Sequence, residues 1–111
     1  QNDEKVAIAK LSVAKSLMNA GSIRQFYEEI QNGIFGYLSD RLEVPYSQMN
    51  KSDINKILTD KNVPQDLTDR VSTILQKAEM ALFAGAGSVG MQESYNDAKE
   101  LILGLEAHFK R

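Results

Sequence analysis

The residues of this chain that could do chemistry fall into a few short patterns, and each lacks a member its chemistry needs. Gly85 and Gly90 match the glycines of a phosphate-binding G-x-x-x-x-G loop. That loop continues with a lysine and a hydroxyl side chain, which meet the terminal phosphates and their metal ion. Here Met91 and Gln92 follow instead, and no strand pattern precedes the loop. Asp60, Asn62 and Asp66 begin like a calcium loop. An EF-hand then needs an oxygen ligand at its fifth position, glycine at its sixth and glutamate at its twelfth. Pro64, Gln65 and Val71 stand there. His108 is the single histidine, and Glu106 lies too close along a helix to face it, which leaves only Asp97 or Glu100 as partners. A triad or metal site needs such partners in place, so His108 reads as a surface residue. Cysteine is absent, which removes thiol nucleophiles, thiolate metal sites and disulfides. The expectation is a chain with no catalytic residue, no bound metal and no cofactor.

Two further sets are better read as structure. Glu28 and Glu29 are adjacent on one helix and point apart, whereas Glu79 lies by an apolar helix face beside Ala78 and Met80. An unpaired buried carboxylate is costly, so Glu79 is expected to find a basic or hydroxyl partner, for which Arg24, Arg41 and Arg70 are candidates. Tyr27, Tyr37, Tyr46 and Tyr95 could anchor a recognition surface. Three of them fit the core, with hydroxyls reaching solvent or a carbonyl; Tyr46, in a loop beside Pro45, is expected outside.

Helices must position all of these groups. A first helix, capped by Asp3 or Asn2, is expected to run to about Asn19, with Val6, Ala9, Val13 and Leu17, and neighbouring Ile8, Ala14 and Met18, on its buried side. Gly21 suits the left-handed C′ position that ends a helix, and Ser22 can cap the next one. A connection that short makes the two helices antiparallel neighbours. The second helix carries the densest apolar stripe of the chain: Ile23, Phe26, Tyr27, Ile30, Ile34, Tyr37, Leu38 and Leu42. A stripe that broad needs cover from several helices, which marks the element as central and buried. Gly33 and Gly36 lie inside it, each less favourable than alanine by up to ~1 kcal/mol; close packing against helix one is the expected reason, with a kink as the alternative. Pro45 is expected to end it. A single turn follows at Ser47–Asn50, then a short helix from Asp53 to Asp60 capped by Ser52. Pro64 opens a fourth helix that runs to about Ala84, with Leu67, Val71, Ile74, Leu75, Ala78 and Leu82 inward. A last helix from about Gln92 to Phe109 buries Tyr95, Ala98, Leu101, Ile102, Leu105 and Phe109. No segment alternates with period two, so no sheet is expected. The fold class is all-α: a compact bundle of about five helices, arranged as an antiparallel hairpin, a short helix and a second antiparallel hairpin. That order also permits tetratricopeptide-like helix pairing, although no 34-residue signature repeats.

The totals bound the function classes. A chain of 111 residues suits one domain whose core needs no staple. Thirteen basic and fifteen acidic residues are interspersed, and no basic block could neutralise a run of phosphates, so a nucleic-acid partner is not expected. No apolar run approaches the ~18–20 residues of a membrane span. The polar start Gln1-Asn2-Asp3-Glu4, without an initiator methionine, reads as a piece excised from a longer protein, with N-terminal processing as the alternative.

The runs Phe26-Tyr27-Glu28-Glu29-Ile30, Gly36-Tyr37-Leu38-Ser39-Asp40-Arg41-Leu42 and Val44-Pro45 resemble the C-terminal helical region of BatD, the Bacteroides aerotolerance (oxygen tolerance) family. The order downstream agrees: Met49 and Ile54 fall where that family places apolar residues, Val63-Pro64 starts a helix, and Ala78-Glu79 resembles its C-E-F-A-R-Y segment. The Ala7–Ala20 stretch looks like its lysine- and alanine-rich lead-in helix. Ala78 stands in place of the family's cysteine, and Leu82-Phe83-Ala84-Gly85 in place of an aromatic-alanine-proline turn, so the Gly85–Gly90 loop is expected to differ in shape from relatives. The resemblance implies a parent in the inner membrane, with this domain on the cytoplasmic face. It implies protein partners of two kinds, von Willebrand A-type Bat proteins and a MoxR-type AAA+ ATPase. It implies a role in oxygen or envelope stress tolerance, and it brings no catalytic residues.

The function expected is therefore a non-enzymatic helical protein-interaction module. The alternative is a structural spacer or self-association domain without a dedicated partner. The expected partner-binding residues are exposed groups near the end of the central helix: Asp40, Arg41 and Tyr46, with Tyr37 at the rim.

Overall fold

A computed structural model describes residues 2–20, 22–84 and 90–110. Among them the chain is all-α, with six α-helices, one 3₁₀ turn and no strand. The helices are α1 (Asn2–Ala9), α2 (Ser12–Ala20), α3 (Ile23–Leu42), α4 (Ile54–Asp60), α5 (Gln65–Ala84) and α6 (Met91–Phe109). The 3₁₀ turn spans Tyr46–Gln48.

The long α3 is the centre of the bundle. It packs against α2, α5 and α6, while α1 lies on α6 and α4 on α5. All eight residues of its apolar stripe except Ile23 are buried, with Phe26, Ile34 and Leu38 fully so. Each such side chain contributes about 1.5–3 kcal/mol by leaving water. Contacts between Tyr27 and Ser94 and between Tyr37 and Glu106 show that α3 and α6 run parallel. Leu67 and Arg70 lie beside Gly104, whereas Ala81 shares a groove with Gly90, so α5 runs antiparallel to α6.

The expected first helix is two helices. The chain breaks at Lys10 and Leu11, whose N–H groups bond to the Ala7 and Ile8 carbonyls in tight three-residue turns of 3.2 and 2.8 Å. The break lies against Gly33. A methyl group there would stand 2.6 Å from the Lys10 carbonyl oxygen and 2.9 Å from a Leu11 methyl. The backbone of the broken segment therefore rests directly on α3, which only glycine permits. Gly36 faces nothing closer than the Lys10 side chain at 4.0 Å, so close packing explains Gly33 alone. The inward face of this segment is also rotated from the expected one. Ala7, Leu11 and Ala14 are buried, with Leu17 and Met18 partly so, whereas Val6 and Val13 are exposed.

Helix ends follow local chemistry. Ser22 is the N-cap of α3, and its carbonyl accepts the Phe26 N–H at 2.9 Å; its hydroxyl, however, donates to the Gln25 side chain. The end of α3 precedes Pro45. Glu43 adopts the left-handed conformation (φ 57°, ψ 43°) and returns its N–H to the Ser39 carbonyl, and the Ser39 hydroxyl donates to the Val44 carbonyl at 2.6 Å. At α4 the cap is Asp53, not Ser52. The Asn50 side-chain oxygen accepts both the Asp53 N–H and the Ser52 hydroxyl. Pro64 sits just before α5, its carbonyl accepting the Thr68 N–H. Gly21 and residues 85–89, where a left-handed cap and an interhelical loop were expected, lie outside the described residues.

Candidate functional site

Glu106 is the feature that sequence reasoning missed. It lies on the inward face of α6, next to Ile102 and Leu105, and is 3% exposed. The helical period rotates it onto the last turns of α3, where two side chains meet it. Tyr37 donates its hydroxyl to Glu106 Oε1 at 2.7 Å. Arg41, one turn further along α3, donates Nε to Oε1 at 3.1 Å and Nη2 to Oε2 at 2.6 Å. The arginine fork thus grips both carboxylate oxygens, the strongest arrangement open to an ion pair. Phe109, three residues on from Glu106, lies 5.8 Å below the guanidinium and 6.5 Å from the Tyr37 ring, which screens the cluster from water on that side.

Electrostatics hold the cluster in one state. Burial by itself would raise the Glu106 pKa, but hydrogen bonds from Arg41 and then Tyr37 outweigh it and hold the carboxyl below its ordinary value. The hydrogen bond to Glu106 raises Arg41 further. Burial, followed by the carboxylate as hydrogen-bond acceptor, pushes the Tyr37 phenol well above its ordinary value. All three groups move away from neutrality. A general acid or base works best with a pKa near the operating pH, and the shifts of these three groups lead away from that range while their hydrogen bonds brace α3 against α6.

The cluster floors a groove between α1 and α3 of about 300 Å³, lined also by Asp3, Val6, Lys10 and Asp40. Lys10 pairs with Asp40 at 2.5 Å across it, and Lys110 reaches Asp3 at 3.6 Å. The structure thus brings Tyr37, Asp40 and Arg41 to one place. Tyr37 is at the floor, 3% exposed, not at the rim. Asp40 is exposed, and Arg41 is partly exposed but pinned. Tyr46 is 48% exposed and belongs elsewhere: its hydroxyl donates to Asn32, and it does not line the groove.

The other candidates resolve simply. Glu79 pairs with Lys51, not with an arginine, because α5 turns that face toward the segment entering α4. His108 is half-buried and packs on Phe109 at 5.2 Å. Tyr27 and Tyr95 are core residues, and the Tyr27 hydroxyl meets Ser94 at 3.1 Å. Among the described residues no three His, Cys, Asp or Glu side chains converge on a space for a metal ion, and no helix is long and apolar enough to cross a membrane. A signal for Glu106 was present: a carboxylate four residues after Ile102 and three before Phe109 interrupts an inward face. It called for a buried cationic partner but could not say which.

No protein-family model, no curated protein and no solved structure matches this chain.

Proposed function

We propose that this chain is a non-enzymatic helical module that docks a protein partner over the α1–α3 groove. The observation that carries the reading is the Tyr37–Arg41–Glu106 cluster. It places a rigid floor of fixed charge under a concave surface, and none of its groups is tuned to exchange a proton. Asp40 and Lys10 on the rim and Val6 beside them supply charge of both signs and an apolar contact. Such a mixture suits a protein surface better than a small ligand, for which a more enclosed and apolar site is usual.

The biological setting rests on the resemblance of Phe26–Ile30 and Gly36–Pro45 to BatD, and on no family match. On that basis the module belongs to an inner-membrane protein and works on its cytoplasmic face in oxygen or envelope stress tolerance. Its partners are then von Willebrand A-type Bat proteins or a MoxR-type AAA+ ATPase. The test is co-purification with each candidate, comparing the natural chain with Asp40→Lys, a change at an exposed side chain that leaves Arg41 and Glu106 intact. Loss of capture with unaltered helicity is the expected result. Capture unchanged by Asp40→Lys removes the groove from the assignment.

A further inference from the structure

At the far end of α5 from this groove lies an apolar patch that nothing in the chain covers among the described residues. Phe83 is 84% exposed and Met80 66% exposed. They are three residues apart, so they share a side of the helix. Beside them, between α5 and α6, runs a groove of about 350 Å³ floored by Tyr27, Ala81 and Ser94, with Met80 on its edge. Phe83, three residues beyond Met80 on the same helix, is not among the residues that line it. Charges of both signs rim it: Lys77 on α5, and Glu93 and Asp97 on α6. None of these three has an ion-pair partner among the described residues.

From this arrangement we infer that the Met80–Phe83 face is an interface with a second copy of the chain, in which Phe83 of each copy enters the α5–α6 groove of the other. The argument is self-complementarity. A two-fold interface uses one patch on both subunits, so the patch must hold a projection beside a recess and cations beside anions. Phe83 is the projection and the groove the recess. Lys77 of one copy meets Glu93 and Asp97 of the other, which supplies partners that the single chain lacks. Large exposed aromatic and methionine side chains are the usual anchors of such contacts. The patch is small beside a standard interface of about 800 Å² per partner, so association is expected to be weak and concentration-dependent. This inference concerns a face remote from Asp40 and Arg41 and does not depend on the docking reading above.

Sedimentation velocity of the 111-residue chain from low concentration to about 1 mM tests it. The natural chain should move from monomer toward dimer, and Phe83→Asp should weaken association at least ~tenfold with helicity and melting unchanged. Lys77→Glu should weaken it too, and combining it with Glu93→Lys and Asp97→Lys should restore it. Isotope-filtered NOEs in a mixed-label sample should join the Met80 methyl or Phe83 ring of one copy to Tyr27 of the other. A chain that stays monomeric throughout, or a dimer indifferent to Phe83→Asp, overturns the inference. So does a monomeric chain whose binding to a different protein is lost with Phe83→Asp, which would assign the face to that partner.

Discussion

Two tyrosines of α3, Tyr27 and Tyr37, stand ten residues apart and each reaches across to α6. The rungs they form lie roughly 15 Å from each other along the helix. At the Tyr27 end the bond is neutral, 3.1 Å long and partly buried, and it runs to Ser94 beside an open apolar groove. At the Tyr37 end the bond is 2.7 Å long, buried and made to a carboxylate that an arginine already grips. Helix α1 lies over that end, whereas the Tyr27 end shares its groove with exposed Met80. The same two helices thus have a locked end and an open end. A buried charge demands full satisfaction and therefore fixes the register of its helices, while a neutral rung tolerates solvent nearby and leaves room for an external surface.

The largest effect should come from breaking the lock. Arg41→Met leaves Glu106 buried with Tyr37 as its remaining partner and should lower stability by about 3 kcal/mol, read from urea unfolding. A loss below ~1 kcal/mol would mean that the carboxylate reaches water, and the two ends would no longer differ in kind. Gly33 lies between the ends and ties α3 to the broken segment. Gly33→Ala drives a methyl into the Lys10 carbonyl and should destabilise by about 2 kcal/mol, whereas Gly36→Ala, with open space, should be neutral or slightly stabilising. The sharpest contrast is a pair of identical changes. Tyr37→Phe removes a hydrogen bond to a charged group and should lose about 1.5 kcal/mol; Tyr27→Phe removes a neutral one and should lose about 0.5 kcal/mol. Equal losses would show that the charge of Glu106 adds nothing to its rung.

The shallowest effect is with pH. The Glu106 pKa is depressed below its ordinary 4.5, so its contribution is present above that value and is lost as pH falls through the folded-state pKa. The Tyr37 pKa is raised above its ordinary 10.0, so its contribution is full below that value and declines as pH rises beyond it. Stability from the locked end should therefore be flat through neutrality and fall on both sides. In Glu106→Gln the part of the acid decline due to this carboxyl should vanish, as unfolding curves from pH 3 to pH 7 would show.

Much of the bundle was legible in the chain. The stripe of α3 is dense enough that its burial follows from the helical period alone, and α5 and α6 carry unambiguous inward faces. The N-terminal segment was harder. Both Val6/Val13 and Ala7/Leu11/Ala14 recur at helical spacing, and hydrophobicity favours the valines. The structure buries the second set, and its central member, Leu11, is the one that lies against Gly33. Of the four expected site residues, Tyr37, Asp40 and Arg41 meet at one groove because they fall within little more than one turn of α3. Tyr46 does not, because the chain reverses at Glu43 and carries it back toward Asn32.

The sequence by itself determined the all-α class, the central place of α3, and the absence of any complete motif for metal or phosphate. These are local properties, set by residue types within a turn or two. It did not show the break at Lys10 and Leu11, or that Gly33 and not Gly36 admits another backbone. Tertiary structure alone decided that Glu106 belongs to Tyr37 and Arg41, residues 69 and 65 positions away. It likewise decided that Lys51, not an arginine, takes Glu79, and that Phe83 stays in water. Partner choice over such distances depends on how each helix is rotated and staggered against its neighbours. Those angles come from packing the whole core at once, so the residues around any one charge do not encode them.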